Sequence, residues 1–230
     1  KFQCNVADPV KHQVIDILPS RNTEDLCKHF LEYPYKERAE VKKIVMDLST
    51  LFRSVAKTMF PEAKIVADKF HVIRVVINSL ENVRKRIQKE FHATKRKWFK
   101  RSRYLLLKPE YKLTDEDKIE LARMLNSSYD LEKAYVLKER FYEVFRKQTR
   151  TEAKKELGKW LLLAADLSLP EFRHCITTFS NWKTEIANII GERVSNGFIE
   201  GSNNKIKVLK RISYGVRNFD RFRNRILYLE

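Results

Sequence analysis

In residues 1–70 short strand-like apolar runs alternate with helical stretches, and after that the apolar spacing is helical. Phe2, Cys4 and Val6 alternate with polar residues until Asp8-Pro9 breaks the run. Val14-Ile15-Asp16-Ile17-Leu18 is a second apolar run, stopped by Pro19. Two short strands joined across Asp8-Pro9 predict a β-hairpin, with Asp8 in its turn. A helix from Thr23 to about Leu31 follows, with Thr23 as its N-cap. Val41-Lys42-Lys43-Ile44-Val45-Met46-Asp47 reads as a buried strand ending in an acid. Ser49 or Thr50 opens a helix through Phe60, which Pro61 closes, and Lys64-Ile65-Val66-Ala67-Asp68 is a further strand ending in an acid. Strand, helix, strand in that order predicts parallel pairing in an α/β core. Asp47 and Asp68 then stand at the carboxyl ends of strands, where such sheets gather their chemistry.

From Lys69 to about Ile190 the pattern is helical. Val72, Val75, Val76, Leu80, Val83 and Ile87 fall at helical spacing within segment 72–104, with basic residues between them, and Pro109 ends that run. Thr114-Asp115-Glu116-Asp117 opens the next helix with acids where the helix dipole favours them. Segments 115–125, 128–148, 150–165 and 170–190 read as helices, and Trp160 and Trp182 are expected to pack inside them. The longest apolar run, Trp160 to Ala165, is expected to be a buried turn or two and is far shorter than the ~20 residues of a membrane span. Ser195-Asn196-Gly197 leads into a last helical pattern in which Ile199, Ile206 and Leu209 form a buried stripe and Glu200 lies near the start.

Charge changes the picture most. With 47 Lys and Arg against 30 Asp and Glu the net charge is +17, which predicts a polyanionic partner. DNA, RNA and an anionic membrane surface all qualify on charge alone. Lys1-Phe2-Gln3-Cys4 lacks the basic-then-apolar build of a secretory leader. Cys4, Cys27 and Cys175 are odd in number and without zinc spacing, which predicts mostly buried, reduced thiols and a cytoplasmic setting. Low glycine and proline contents argue against disorder.

Asp47, Asp68 and Glu200 are the carboxylates that can meet at a site. Oxygen ligands of this kind suit Mg²⁺, and two such ions can activate a water or a 3′-hydroxyl beside a phosphodiester. Each acid also has a plainer reading. Asp47 could cap the following helix, Glu200 could pair with Lys205 or Lys207, and Asp68 could hold His71 in place. Lys205, Lys207, Lys210, Arg211, Arg217, Arg221, Arg223 and Arg225 form the densest basic region, either a solvated face or a phosphate-binding one. Trp98, among Arg96, Lys97, Lys100 and Arg101, could stack on an unpaired base or lie half-buried on a helix face. His12, His29, His92 and His174 read as ordinary surface or packing residues.

Four blocks in order resemble one family. They are Val45-Met46-Asp47, the run from Phe60 to His71 that includes Asp68-Lys69-Phe70-His71, Ser195 to Gly201, and Tyr214-Gly215-Val216-Arg217-Asn218-Phe219. The chain resembles, over essentially its whole length, the catalytic domain of bacterial insertion-sequence transposases of the ISL-three group, DDE transposases with an RNase H-like core. The resemblance implies an α/β, RNase H-like core with a large all-helical insertion: core 1–70, insertion 71–190, and core helices 191–230 carrying the catalytic Glu. It implies metal-dependent strand cleavage and strand transfer at transposon ends and target DNA, by a homo-oligomer on DNA associated with the nucleoid. Asp47 and Glu200 become the second and third catalytic acids, with Asp68 a further metal-site acid and His71 an orienting neighbour. The cofactor is a pair of Mg²⁺ or Mn²⁺ ions. Lys205, Lys207, Lys210, Arg211, Arg217, Arg96, Lys97 and Trp98 become DNA-binding residues. The family's first Asp is expected on a strand upstream of Lys1, leaving this chain one ligand short and inactive alone, with Asp8 as the other candidate. A non-catalytic DNA-binding remnant and an RNA-cutting relative are the competing functions.

Overall fold

The computed structural model describes residues 4–192, 197–213 and 218–229. They divide into two compact units, one made of residues 1–70 and 192–230 and one of residues 71–191.

The first unit opens with the hairpin. β1 (Cys4–Asp8) pairs antiparallel with β2 (Gln13–Leu18), from Cys4↔Leu18 to Asp8↔Gln13. The register slips between Val6↔Asp16 and Ala7↔Val14, so Ile15 is an extra residue with no partner and is exposed. Such a bulge resets the side-chain alternation. Val14 and Ile17, three apart, therefore join the same apolar cluster, while Leu18 packs on the other side. α1 (Thr23–Leu31) follows, capped by Asn22 rather than Thr23: the Asn22 side chain accepts the Asp25 N–H at 2.9 Å. α2 (Tyr35–Glu40) is a short helix without buried residues.

β3 (Lys43–Met46) and β4 (Lys64–Ala67) pair in parallel, joined by α3 (Thr50–Met59). Among the described residues the strands form two two-stranded sheets, β1–β2 and β3–β4. Leu26 of α1 and Val55 and Met59 of α3 pack with Leu18, next to Cys4, Val6 and Cys27. Lys43 and Lys64, partners in register, both bind Glu192, Lys64 at 2.7 Å.

The second unit is helical among its described residues: α4 (Lys69–Ile87, its first two residues in the first unit), α5 (Ala93–Arg101), α6 (Arg103–Leu107), α7 (Asp115–Leu125), α8 (Tyr129–Tyr142), α9 (Arg150–Asp166), α10 (Arg173–Asn181) and α11 (Lys183–Ala187). Segment 72–104 is thus not one helix; it breaks after Ile87 and again at Ser102. Thr114 caps α7 as the acids of its first turn suggest, and Thr149 with Glu152 closes a reciprocal capping box on α9. Phe141, Trp160, Phe172, Phe179 and Trp182 form the buried aromatic centre, with Phe141 stacked on Phe179 at 5.1 Å. The run Trp160–Ala165 does not stay buried: Leu162 is exposed. No described helix is long and apolar enough to cross a membrane.

The chain then returns to the first unit. α12 (Gly197–Ile212) buries Ile206 and Leu209 against Val14 and Ile17, with Phe222 and Ile226 of α13 (Phe219–Leu229) in the same cluster. Ile199 is only partly buried.

Candidate active site and nucleic-acid interface

β3 and β4 carry their acids to one end of one sheet. Met46 pairs with Ala67, and the Asp68 N–H then donates to the Met46 carbonyl at 2.7 Å, so the ladder runs one residue past the strands. Asp47 and Asp68 therefore leave adjacent strand ends together. Asp47 is not the cap of α3; Ser49 is, accepting the Phe52 N–H at 3.3 Å. That frees Asp47 from the plainer role its position allowed.

Oδ1 of the Asp47 carboxylate is buried and has no hydrogen-bond partner among the described residues. A buried carboxylate oxygen without a donor is costly, and such an orphan calls for a missing partner. The carboxylate's charge also matters nearby, on β1: burial pushes the Cys4 thiol up to about 11, with Arg21 pulling it down and Asp47 adding to the rise. Asp68 is almost fully buried, and His71 lies half-buried in the first turn of α4.

Glu200 occupies the first turn of α12, where the helix dipole favours an acid, and is partly exposed. Three levels of contact hold α12 to the hairpin. Phe198 stacks on His12 with ring centres 5.4 Å apart. Asn203 Oδ1 accepts from Asn5 Nδ2, and Ile206 and Leu209 fill the apolar seam. Among the described residues no three His, Cys, Asp or Glu side chains are grouped to hold a metal ion. The structure thus brings Asp47 and Asp68 to neighbouring strand ends, and Asp47, Asp68 and Glu200 do not form a three-ligand cluster.

Asp8 is occupied by its own turn. Its Oδ1 accepts the Val10 and Lys11 N–H groups at 2.8 and 3.0 Å, and these bonds, the Lys11 one first, lower its pKa.

The basic region divides by use. Lys205, Lys207, Lys210 and Arg211 are exposed on α12, Lys207 reaching Asn204 only at 3.5 Å. Arg223 is drawn inward to Asp16 at 2.5 Å, and Arg225 reaches the Ser213 hydroxyl. Arg217 lies outside the described residues, as do Ser195, Asn196 and 214–216. In the helical unit Lys97 is exposed, whereas Arg96 closes on the Gln88 and Lys89 carbonyls. Trp98 is half-buried and its indole N–H donates to Glu120.

Sequence reading missed Asp16, Glu192 and Asn5, and it counted Arg223 in the basic face where the structure turns it to Asp16. Asp16 is buried in β2, accepts from Arg223 and from the Ile17 N–H, and has His29 Nε2 at 3.6 Å. An acid between two isoleucines was the available signal. Of the cysteines, only Cys175 is fully buried, and all three are free thiols.

The α/β unit thus carries acids at parallel strand ends and, further along the chain, a basic helix that opens on another acid. The comparison with known families adds the family: a transposase family model of the DDE, ISL3 type matches residues 1–226, and the chain belongs to that family. It is similar to the transposase for insertion sequence element IS1001 of Bordetella parapertussis, 27% identical over 226 residues, which are 96% of this chain and 55% of that protein. It is also similar to the transposase for insertion sequence element IS1557 of Mycobacterium tuberculosis (strain CDC 1551 / Oshkosh), 25% identical over 236 residues, covering 93% of this chain and 53% of that protein. The chain thus spans about half the length of these relatives. A protein named ATP-dependent protease from Lactococcus lactis subsp. lactis is 33% identical over 116 residues, half of this chain and 35% of that protein. The chain's five glycines show no Gly-x-x-x-x-Gly-Lys phosphate loop. No solved structure matches.

Proposed function

We propose that this chain is the catalytic part of an insertion-sequence transposase that cuts DNA at the element's ends and joins it to target DNA with divalent metal. The orphaned, buried Oδ1 of Asp47 at the β3 end carries the reading. Family membership and the exposed cations that follow Glu200 support it.

Carboxylate oxygens are the donors such an ion prefers, and Asp47 and Glu200 are the proposed ligands, with Asp68 a further metal-site acid and His71 an orienting neighbour. A bound Mg²⁺ or Mn²⁺ supplies Lewis acidity and neutralises phosphate charge. Lys205, Lys207, Lys210 and Arg211 grip the backbone phosphates, which fixes the register of the duplex without reading its sequence. Lys97 is a second phosphate contact, on the helical unit, and Arg217 joins the α12 set by its place in the sequence. Water attacks the phosphodiester at the element's end, and the bond to the 3′ oxygen breaks to give a 3′-hydroxyl. That hydroxyl attacks a target phosphodiester and displaces the strand on its other side.

The first acid of the set is expected on a further strand. We read residues 1–70 as an RNase H-like core, residues 71–190 as its insertion and 191–230 as its closing helices. β1 and β3 each have a partner on one side only among the described residues, so both offer an edge to that strand. Asp8 is a poor substitute, since its own turn occupies it.

The test is strand nicking of duplex carrying the element's end, in Mg²⁺, by the full-length protein that contains this chain. Nicking that Asp47→Asn and Glu200→Gln both abolish is the expected result. Binding without nicking by the unaltered protein would favour a DNA-binding remnant, and a preference for RNA duplex would favour an RNase.

A further inference from the structure

We propose that the Asn5–Asn203 amide pair is a positioning device for Glu200; the inference rests on the metal-site reading given above. Asn203 lies three residues after Glu200 on α12, so the two share one side of the helix, one turn apart. Asn5 Nδ2 donates to Asn203 Oδ1 at 2.5 Å, and both residues are partly buried.

The surroundings give this bond its role. α12 otherwise meets the hairpin through a ring stack at His12 and Phe198 and through the apolar seam of Ile206 and Leu209 on Val14 and Ile17. Apolar contacts are non-directional and tolerate a helix that turns or slides. An amide pair does not: a rotation of one residue, about 100°, separates the two groups and leaves both short of a partner. A polar pair set beside an apolar seam fixes register more than it adds stability, as a buried Asn does in coiled coils. Here the register it sets is that of Glu200.

The test uses the full-length protein with Asn5→Val and Asn203→Leu, singly and together, which replace the amides by apolar groups suited to the seam. Three readouts are taken: Tm, affinity for end-containing duplex without metal, and the Mn²⁺ concentration giving half-maximal nicking. Positioning predicts that Tm and DNA affinity hold within experimental spread while the Mn²⁺ midpoint rises roughly ten-fold, as for lost supports of metal ligands. An unchanged midpoint in folded variants overturns the proposal. A midpoint that moves only in step with Tm reduces the pair to a structural role and overturns it too. If the leucine variant fails to fold, Asn203→Ser is read by the same criteria. Glu200→Gln separates the two levels: nicking lost there but untouched by the Asn variants sinks the positioning role alone. Nicking retained in Glu200→Gln sinks the metal-site reading and this inference together.

Discussion

Lys43 and Lys64, register partners at the amino ends of β3 and β4, share one counter-ion, Glu192. Their hydrogen bonds hold the Glu192 carboxyl down at about 2, against an ordinary value of 4.5. The acids Asp47 and Asp68 stand at the opposite end of the same strand pair, so Glu192 fastens the end away from the proposed chemistry.

Glu192→Gln is expected to destabilise the first unit by about 1–2 kcal/mol, the smaller end of a buried pair because both lysines remain about a third exposed. A carboxylate whose pKa is lower folded than unfolded stabilises above its unfolded value and loses that contribution as pH falls through the folded one. The difference between parent and variant should therefore be nearly full above pH 4.5, shrink as pH falls toward 2 and vanish only below it. Urea unfolding across that range measures it; a constant difference down to pH 2 would refute the linkage.

Lys138 is almost fully buried in the helical unit, where its ammonium donates to the Leu106 and Lys108 carbonyls and pairs with Glu139. Burial lowers its pKa and Glu139 opposes that. Lys138→Met leaves those acceptors without a donor, and a loss of about 3–5 kcal/mol is expected. Thermal unfolding of the helical unit reports it, and a shift within the noise would contradict the assigned role.

The Asp16–Arg223 pair ties β2 to α13. Arg223→Ala strands a buried carboxylate whose other neighbours are the Ile17 N–H and His29. A stability loss of about 2–4 kcal/mol is expected. Urea unfolding of parent and variant measures it, and a difference within experimental spread would remove the pair from the account.

Lys207→Ala and Lys210→Ala are each expected to lower the slope of log affinity against log salt by about 0.9, the signature of one lost phosphate contact. Trp98→Phe keeps the ring but removes the N–H that Glu120 accepts, so a loss of about 1 kcal/mol in stability is expected. Filter binding over a salt series and a melting curve check the two.

Local features were legible in the sequence and distant pairings were not. The strand-end acids could be read because a strand, its stop and the next helix's cap lie within a few residues. Even there, Asn22 took the cap assigned to Thr23, since it alone was placed to accept from Asp25. α2 escaped because Tyr-Lys-Glu-Arg-Ala-Glu has no apolar stripe and buries nothing. The bulge at Ile15 escaped because one extra residue leaves an apolar run looking continuous. Glu192 meets Lys43 across 149 residues and Asp16 meets Arg223 across 207, and no periodicity encodes such partners. Asn203 was visible beside Glu200, but its partner on β1 became visible only in the fold.

The most direct measurement is Mn²⁺ binding by the full-length protein, followed as loss of the free-ion electron paramagnetic resonance signal. It is made on the parent, Asp47→Asn and Glu200→Gln, each checked for an unchanged melting temperature. If the two acids share a site, each substitution weakens Mn²⁺ binding by at least about ten-fold and the double variant is no worse than the weaker single one. Parent-like binding in both single variants would contradict the account.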